Sequence, residues 1–163
     1  MKILVTGGLG FIGSNFISKL LKESNEFEVV NVDAELYGAD RRNLSEIQNH
    51  EKYEFVKGNI TNKRLMEETI SRCDLVVNFA AESFVDRSIS DANPFLVSNI
   101  RGAFTVLDII TKQKKRMLQI STDEVFGSLS SNTATEESKL NPSSPYAATK
   151  AAAELLINSY RVT

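Results

Sequence analysis

Gly7-Gly8-Leu9-Gly10-Phe11-Ile12-Gly13 is the stretch on which the fold turns. Before it, Lys2-Ile3-Leu4-Val5-Thr6 is short, apolar and rich in β-branched residues, and reads as a buried strand. After it, Phe11, Ile12, Phe16, Ile17, Leu20 and Leu21 recur at helical spacing as far as about Lys22. Glycines at 7, 10 and 13 permit a tight turn, close approach of a ligand to the backbone, and close packing of helix on strand. The helix then presents its unpaired N–H groups to an anion. A second strand, Phe27 to Val32, ends at Asp33, about 20 residues beyond Gly13. A carboxylate there can bond both hydroxyls of an adenine ribose. Strand, glycine turn, helix, strand and terminal acid in that order predict a dinucleotide site, and Asp33 would repel a 2′-phosphate, which favours NAD over NADP.

The same alternation continues down the chain. Tyr53 to Val56 reads as a third strand, with Arg41 to Asn49 before it as a short helix. Thr61 or Asn62 caps a helix running to about Arg72. Asp74 to Phe79 is near-continuously apolar, as a central parallel strand should be. Pro94 opens a helix whose last turn carries Lys112, Lys114, Lys115 and Arg116. Met117 to Ser121 reads as a fifth strand, Ser128 to Ser144 as a polar loop, and Tyr146 to about Tyr160 as an Ala-rich helix. Strands alternating with helices imply one α/β domain over residues 1–163, a doubly wound parallel sheet of about five strands.

Composition narrows the function. Of 163 residues, 25% are charged and 42% hydrophobic, which suits a globular chain. Lys plus Arg is 19 against Asp plus Glu at 21, so no basic surface for nucleic acid is expected. One cysteine, Cys73, and one histidine, His50, exclude an internal disulfide and a cysteine- or histidine-rich metal site, so no metal is expected. Cys73 reads as a small buried apolar residue and His50 as a surface residue. No apolar run approaches a membrane span, and no leader is evident at the start; the expectation is a cytoplasmic protein with no membrane partner.

Two further groups carry chemistry. Thr122-Asp123-Glu124 follows the fifth strand, where an open parallel sheet places its ligand crevice. In extended backbone the two carboxylates would point to opposite sides and serve one substrate as acid and base; alone, the tripeptide would read as a polar strand end or a helix cap. Tyr146 and Lys150 share a face of the last helix, and an ammonium beside the phenol would lower the phenol's pKa. That makes a base for a hydroxyl proton.

Gly7-x-x-Gly10-x-x-Gly13 with Tyr146-x-x-x-Lys150 resembles the extended short-chain dehydrogenase/reductases, whose fold is Rossmann-like. More narrowly, Gly7 to Ser14, Asn78 to Ser83, Val85 to Ile89, Ile120 to Val125 and Ser144 to Tyr146 resemble the dTDP-glucose 4,6-dehydratases. The resemblance implies a lyase that removes water from a nucleotide-activated glucose by internal hydride transfer through NAD. It implies Thr122, Asp123, Glu124, Tyr146 and Lys150 as catalytic residues, with Ser83 beside Thr122, Asp123 and Glu124 at the glucosyl group. Gly7, Gly10, Phe11, Ile12, Gly13, Asp33, Asn59, Ile60, Ala80, Ala81 and Asn99, with Tyr146 and Lys150, would bind NAD. It also implies a homodimer through the helices near 95–111 and 146–160. Phe84 and Phe126 stand where that family usually has His and Tyr, and Asn59 where it has Asp. Family members continue into a C-terminal substrate domain that this sequence lacks, so the site is expected to be incomplete. The alternatives are another sugar-nucleotide epimerase or decarboxylase, which Asp123-Glu124 disfavours, and a non-enzymatic cofactor-binding remnant.

Overall fold

A computed structural model of the chain describes residues 1–129 and 133–162. The chain divides into two compact units: Met1–Ala80 with Thr105–Ile120, and Ala81–Phe104 with the segment from Ser121 onward.

The first unit holds a parallel sheet of β1 (Lys2–Thr6), β2 (Glu28–Asp33), β3 (Tyr53–Lys57), β4 (Leu75–Asn78) and β5 (Arg116–Gln119), in the order β3-β2-β1-β4-β5. Its helices are α1 (Phe11–Glu23), α2 (Lys63–Ser71) and most of α5 (Ala103–Lys112). This is the doubly wound, Rossmann-like arrangement the alternation predicts. In β1 both faces are buried, as a sheet with helices on both sides requires. Ile3, Val5, Val29 and Val77 join Ile17 and Leu21 of α1 in one cluster, while the alternate residues Leu4, Val30 and Val76 are equally buried on the other face. Strand order reverses at β1, so the segments after β1 and β4 flank the switch point at which such sheets bind ligands.

A row of polar side chains crosses the sheet at that end. Thr6, Asn78 and Gln119 are register partners across β1, β4 and β5. The Thr6 hydroxyl donates to Asn78 Oδ1, and Asn78 Nδ2 donates to Gln119 Oε1 at 2.7 Å. A second tie joins β2 to its neighbours: Asn31 Oδ1 accepts the Gly8 N–H at 3.1 Å and Asn31 Nδ2 donates to the Tyr53 hydroxyl at 2.9 Å.

In the second unit lie α3 (Val85–Ser90), α4 (Asn93–Phe95), a π-helical stretch Leu96–Gly102, and α6 (Pro145–Val162). Among the described residues, no helix is long and apolar enough to cross a membrane.

Several local expectations need correction. Arg41–Leu44 makes only one 3₁₀ turn, capped by the Asp40 side chain, and turns rather than helix follow to Asn49. The single helix expected from Pro94 to the lysine cluster is α4, the π-helical stretch and α5 in succession, and it stops at Lys112; Lys114 has a φ of 53°. Helix α3 is unanticipated, because six residues hold too little of a 3.6-residue period to be read. Cys73 is buried, and burial pushes its thiol up to about 11. Of the loop read from Ser128 to Ser144, residues 130–132 lie outside the described residues.

Candidate active site

In the first unit the glycine turn is shaped by backbone contact. Gly7 has a φ of 71°, and a Cβ there would stand 2.6 Å from the Ala80 nitrogen, so the chain after β1 presses directly on the chain after β4. A Cβ on Gly13 would stand 2.5 Å from the Gly7 carbonyl oxygen. Gly10 differs. Its backbone is extended, with φ −71° and ψ 169°, and a Cβ there would meet only the Gly7 oxygen, at 3.4 Å. The protein itself therefore does not demand glycine at 10, and space on its outer side suits a phosphate approaching the backbone. Gly10 also caps α1 without a side-chain hydrogen bond, which leaves the helix N-terminus to other partners. Phe11 and Ile12, 81% and 62% exposed, stand outward at the start of α1 instead of contributing to the core.

Asp33 ends β2 with its carboxylate buried against this turn. Its Oδ2 accepts the Leu9 N–H at 2.9 Å and its Oδ1 accepts the Glu35 N–H at 2.8 Å. Each oxygen keeps a lone pair for a further donor. Asn59 closes a local turn, its Oδ1 accepting both the N–H and the hydroxyl of Thr61 at 2.9 Å, and Ile60 beside it is buried. Ala80 is half-buried.

The second unit brings together Thr122, Asp123, Glu124 and Tyr146. The extended backbone expected at Asp123-Glu124 is replaced by a 3₁₀ turn, Asp123–Phe126, capped by Thr122. The Thr122 hydroxyl accepts the Glu124 N–H at 3.3 Å and lies close enough to the Tyr146 phenol to favour its ionised form. The turn leaves both carboxylates exposed, yet close enough to act electrostatically on Tyr146.

Tyr146 is buried near the start of α6, a helix opened by Pro145 and by Ser144, whose hydroxyl accepts the Ala147 N–H at 3.1 Å. The lowered phenol pKa expected from Lys150 is not found. Burial pushes Tyr146 above its ordinary value, the neighbouring Thr122 hydroxyl opposes that, and the charges of Glu124 and Asp123 add to it. Lys150, one turn further on, is 4% exposed; burial pulls its ammonium down to about 8 while Glu154 holds it up.

Asn99 faces the protein. Its Oδ1 accepts the Glu82 N–H at 2.8 Å, and its Nδ2 donates to the Glu82 carbonyl at 2.9 Å and to the Thr149 hydroxyl at 3.0 Å. Thr149 in turn donates to the Tyr146 carbonyl at 2.7 Å. Ser83 is exposed and Ala81 half-buried. Sequence reasoning missed four supports of the site. Ser88, fully buried, accepts the Tyr146 N–H at 3.1 Å; Thr149 carries the link from Asn99; Glu82 takes Arg87 at 2.9 Å; and Glu154 accepts the Ser121 hydroxyl. Their partners lie far away in sequence, except for Glu82–Arg87, so no local spacing announces them. Ser144-Pro145 carries a local signal that the loop and helix assignments leave unused, an N-cap serine followed by proline at the first helical position. Among the described residues, no group of three or more His, Cys, Asp or Glu could hold a metal ion.

Residues 4–163 match the family described as GDP-mannose 4,6 dehydratase. The chain belongs to that family. Within the GDP-mannose 4,6 dehydratase family and its relatives, the chain is 48% identical to the low-salt glycan biosynthesis protein Agl12 of Haloferax volcanii, over all of this chain and 53% of that protein. It is 39% identical to the dTDP-glucose 4,6-dehydratase of Mycolicibacterium smegmatis, over 98% of this chain and 49% of the other. Among solved structures, the dTDP-glucose 4,6-dehydratase DesIV of Streptomyces venezuelae, with NAD and TYD bound, superposes with a TM-score of 0.96 at 40% identity, covering all of this chain and 52% of that one. The dTDP-glucose 4,6-dehydratase of Bacillus anthracis in complex with NAD gives 0.90 at 42% identity, over 99% and 50%. The chain spans about half the length of the curated relatives it matches.

Proposed function

We propose that this chain is the NAD-binding and catalytic part of a dTDP-glucose 4,6-dehydratase, which converts the nucleotide-activated glucose to its 4-keto-6-deoxy form with loss of water. The observation that carries the reading is the grouping of the carboxylates of Asp123 and Glu124 and the Thr122 hydroxyl around the Tyr146 phenol. Relatives solved with NAD, at 40% and 42% identity, support the cofactor.

The residues present fit that cofactor. Gly10 offers space beside its backbone, α1 offers an uncapped N-terminus, and Asp33 offers a buried carboxylate for the ribose hydroxyls. Phe11, Ile12, Gly13, Asn59, Ile60, Ala80, Ala81, Tyr146 and Lys150 would be its further contacts, whereas the Asn99 amide is held by Glu82 and Thr149. Bound NAD would supply an acceptor for hydride from the sugar C4, and the donor that returns it to C6.

The side chains would handle the protons. Tyr146 would take the C4 hydroxyl proton beside the Thr122 hydroxyl, while the Lys150 ammonium, still the dominant form at neutral pH, lies one turn along α6. Glu124 would remove the C5 proton, which the C4 ketone acidifies, and Asp123 would protonate the departing C6 hydroxyl. Reprotonation of C5 accompanies return of hydride to C6, so one water is lost and the cofactor is unchanged. Ser83 would contact the glucosyl group.

The exposed apolar residues Leu96, Val97, Phe104 and Leu155 support a homodimer through the helices near 95–111 and 146–160. Its check is light scattering at micromolar concentration, where a monomeric mass would refute it. For the reaction, the protein is incubated with NAD and dTDP-glucose and the sugar nucleotide is weighed by mass spectrometry. Loss of one water is expected; an unchanged mass, with a known dehydratase active in parallel, would refute it.

A further inference from the structure

Just beyond β2, Glu35 sits in an unusual place. Its φ is 56°, a left-handed conformation that a residue with a Cβ seldom adopts, and its own N–H is bonded to Asp33 Oδ1 at 2.8 Å. Its carboxylate is spent entirely on cations: one oxygen takes Lys57 Nζ at 2.7 Å and the other takes Arg41 Nε. Lys57 is the register partner of Asp33 across β3 and β2. Arg41 lies over the Phe55 ring, 4.5 Å from its centroid. Arg42 is turned away to Asp40, its Nε 2.8 Å from Oδ2. The Glu35 side chain is 22% exposed, whereas Arg41 and Lys57 are 61% and 66% exposed, so the acid lies beneath two cations. Those cations hold its carboxyl down to about 2, and it stays charged at any working pH.

Asp33 and Glu35 therefore form two acids separated by one residue, with Arg41 and Lys57 bound to the second. Arginine and lysine are the side chains that recognise a phosphate, arginine in a fork and lysine as a point charge. A non-glycine residue kept in strained backbone beside a ligand site points to a use for its side chain.

We infer that Glu35 is a specificity-determining residue that excludes NADP, by neutralising the two cations, Arg41 and Lys57, that would otherwise bind a 2′-phosphate beside Asp33. The inference rests on the reading of Asp33 as the ribose acid given under the proposed function. Asp33 repels the phosphate directly; Glu35 withholds its counter-charges.

The test titrates NAD, NADP and 2′,5′-ADP into the wild-type chain, Glu35→Gln, and Glu35→Gln combined with Arg41→Gln and Lys57→Gln, by calorimetry. Wild type should prefer NAD. Releasing two cations toward a dianion should tighten NADP and 2′,5′-ADP about tenfold in Glu35→Gln while moving NAD by less than about twofold. The gain should vanish in the triple variant and shrink at about 0.5 M salt. If Glu35→Gln loses its helical circular dichroism, Glu35→Gly, which removes the strain with the charge, takes its place. Unchanged NADP affinity in these variants, a gain that survives removal of both cations, or a wild type that binds NADP as tightly as NAD overturns the inference alone. A wild type that binds neither dinucleotide overturns the cofactor reading on which it rests.

Discussion

Replacing Gly7 and Gly10 in turn by alanine separates what the glycine turn does for the fold from what it does for a ligand. At Gly7 the added methyl would stand 2.6 Å from the Ala80 nitrogen, 2.7 Å from its Cα and 2.9 Å from the Phe79 carbonyl carbon. All three are backbone atoms beside β4, so none can swing aside. A left-handed alanine costs about 1–2 kcal/mol, and forced backbone displacement adds about 1–3 kcal/mol, so Gly7→Ala should lose roughly 3 kcal/mol or more. At Gly10 the backbone is already extended and the methyl touches only the Gly7 oxygen, at 3.4 Å. Alanine is a poorer cap than glycine, but it lowers the unfolded chain's entropy by about 0.4–1 kcal/mol, and the two offset to within about 0.5 kcal/mol. The same methyl occupies the side from which a pyrophosphate would approach, where about 2 kcal/mol of binding, some thirtyfold in Kd, should go. Urea unfolding and an NAD titration on both variants read the two effects apart. Gly10→Ala with wild-type NAD affinity would refute the placement of the phosphates, and Gly10→Ala as unstable as Gly7→Ala would refute the steric reasoning.

Lys150 should leave a signature in stability against pH. Its folded pKa of about 8 lies below the ordinary 10.5, so between those values the unfolded chain holds a proton that the folded chain does not, and stability rises with pH across that window by about 3 kcal/mol. Subtracting the curve of Lys150→Met cancels the opposite slope that Cys73 adds from 9.0 to about 11; equal slopes in the two proteins would refute the shift. Asn99→Ala strips three hydrogen bonds from buried partners and should cost about 2–4 kcal/mol, measured as a fall in the urea midpoint; a change under about 0.5 kcal/mol would show the Glu82 backbone is satisfied otherwise. Glu124→Gln should abolish wash-in of solvent deuterium at C5 of the sugar while leaving NAD affinity unchanged, and continued wash-in would remove Glu124 from its assigned role.

The parts of the fold that could be read in advance are those governed by local physics. Ile3 to Val5 and Val76 to Val77 are apolar on both faces, the glycine turn stands between a strand and a helix, and Asn62 caps α2 with its own side chain, accepting the Leu65 N–H at 3.2 Å. Thr122, Tyr146 and the carboxylates could be named because their residue types, order and strand-end setting were visible. Their geometry could not. Whether Asp123 and Glu124 lie in extended backbone or in a 3₁₀ turn depends on the Thr122 cap, which their residue types alone do not dictate. The supports of Tyr146 were hidden for a related reason: a serine at 88 that accepts an N–H at 146 has no periodicity. Leu96–Gly102 shows the limit from the other side, since its composition is ordinary helix and only the structure shows it wound as π-helix.

The polar row through Thr6, Asn78 and Gln119 has a bearing on how the sheet assembles. Thr6 and Asn78 are fully buried, and their hydrogen bonds are complete only when β1, β4 and β5 stand side by side in one register. A strand shifted by two residues would still match apolar to apolar elsewhere, but it would strand an amide or a hydroxyl away from water, at about 1–3 kcal/mol for each group. The apolar pattern alone tolerates such errors. The row acts as a checksum on strand pairing, rejecting misaligned sheets that hydrophobic burial by itself would accept.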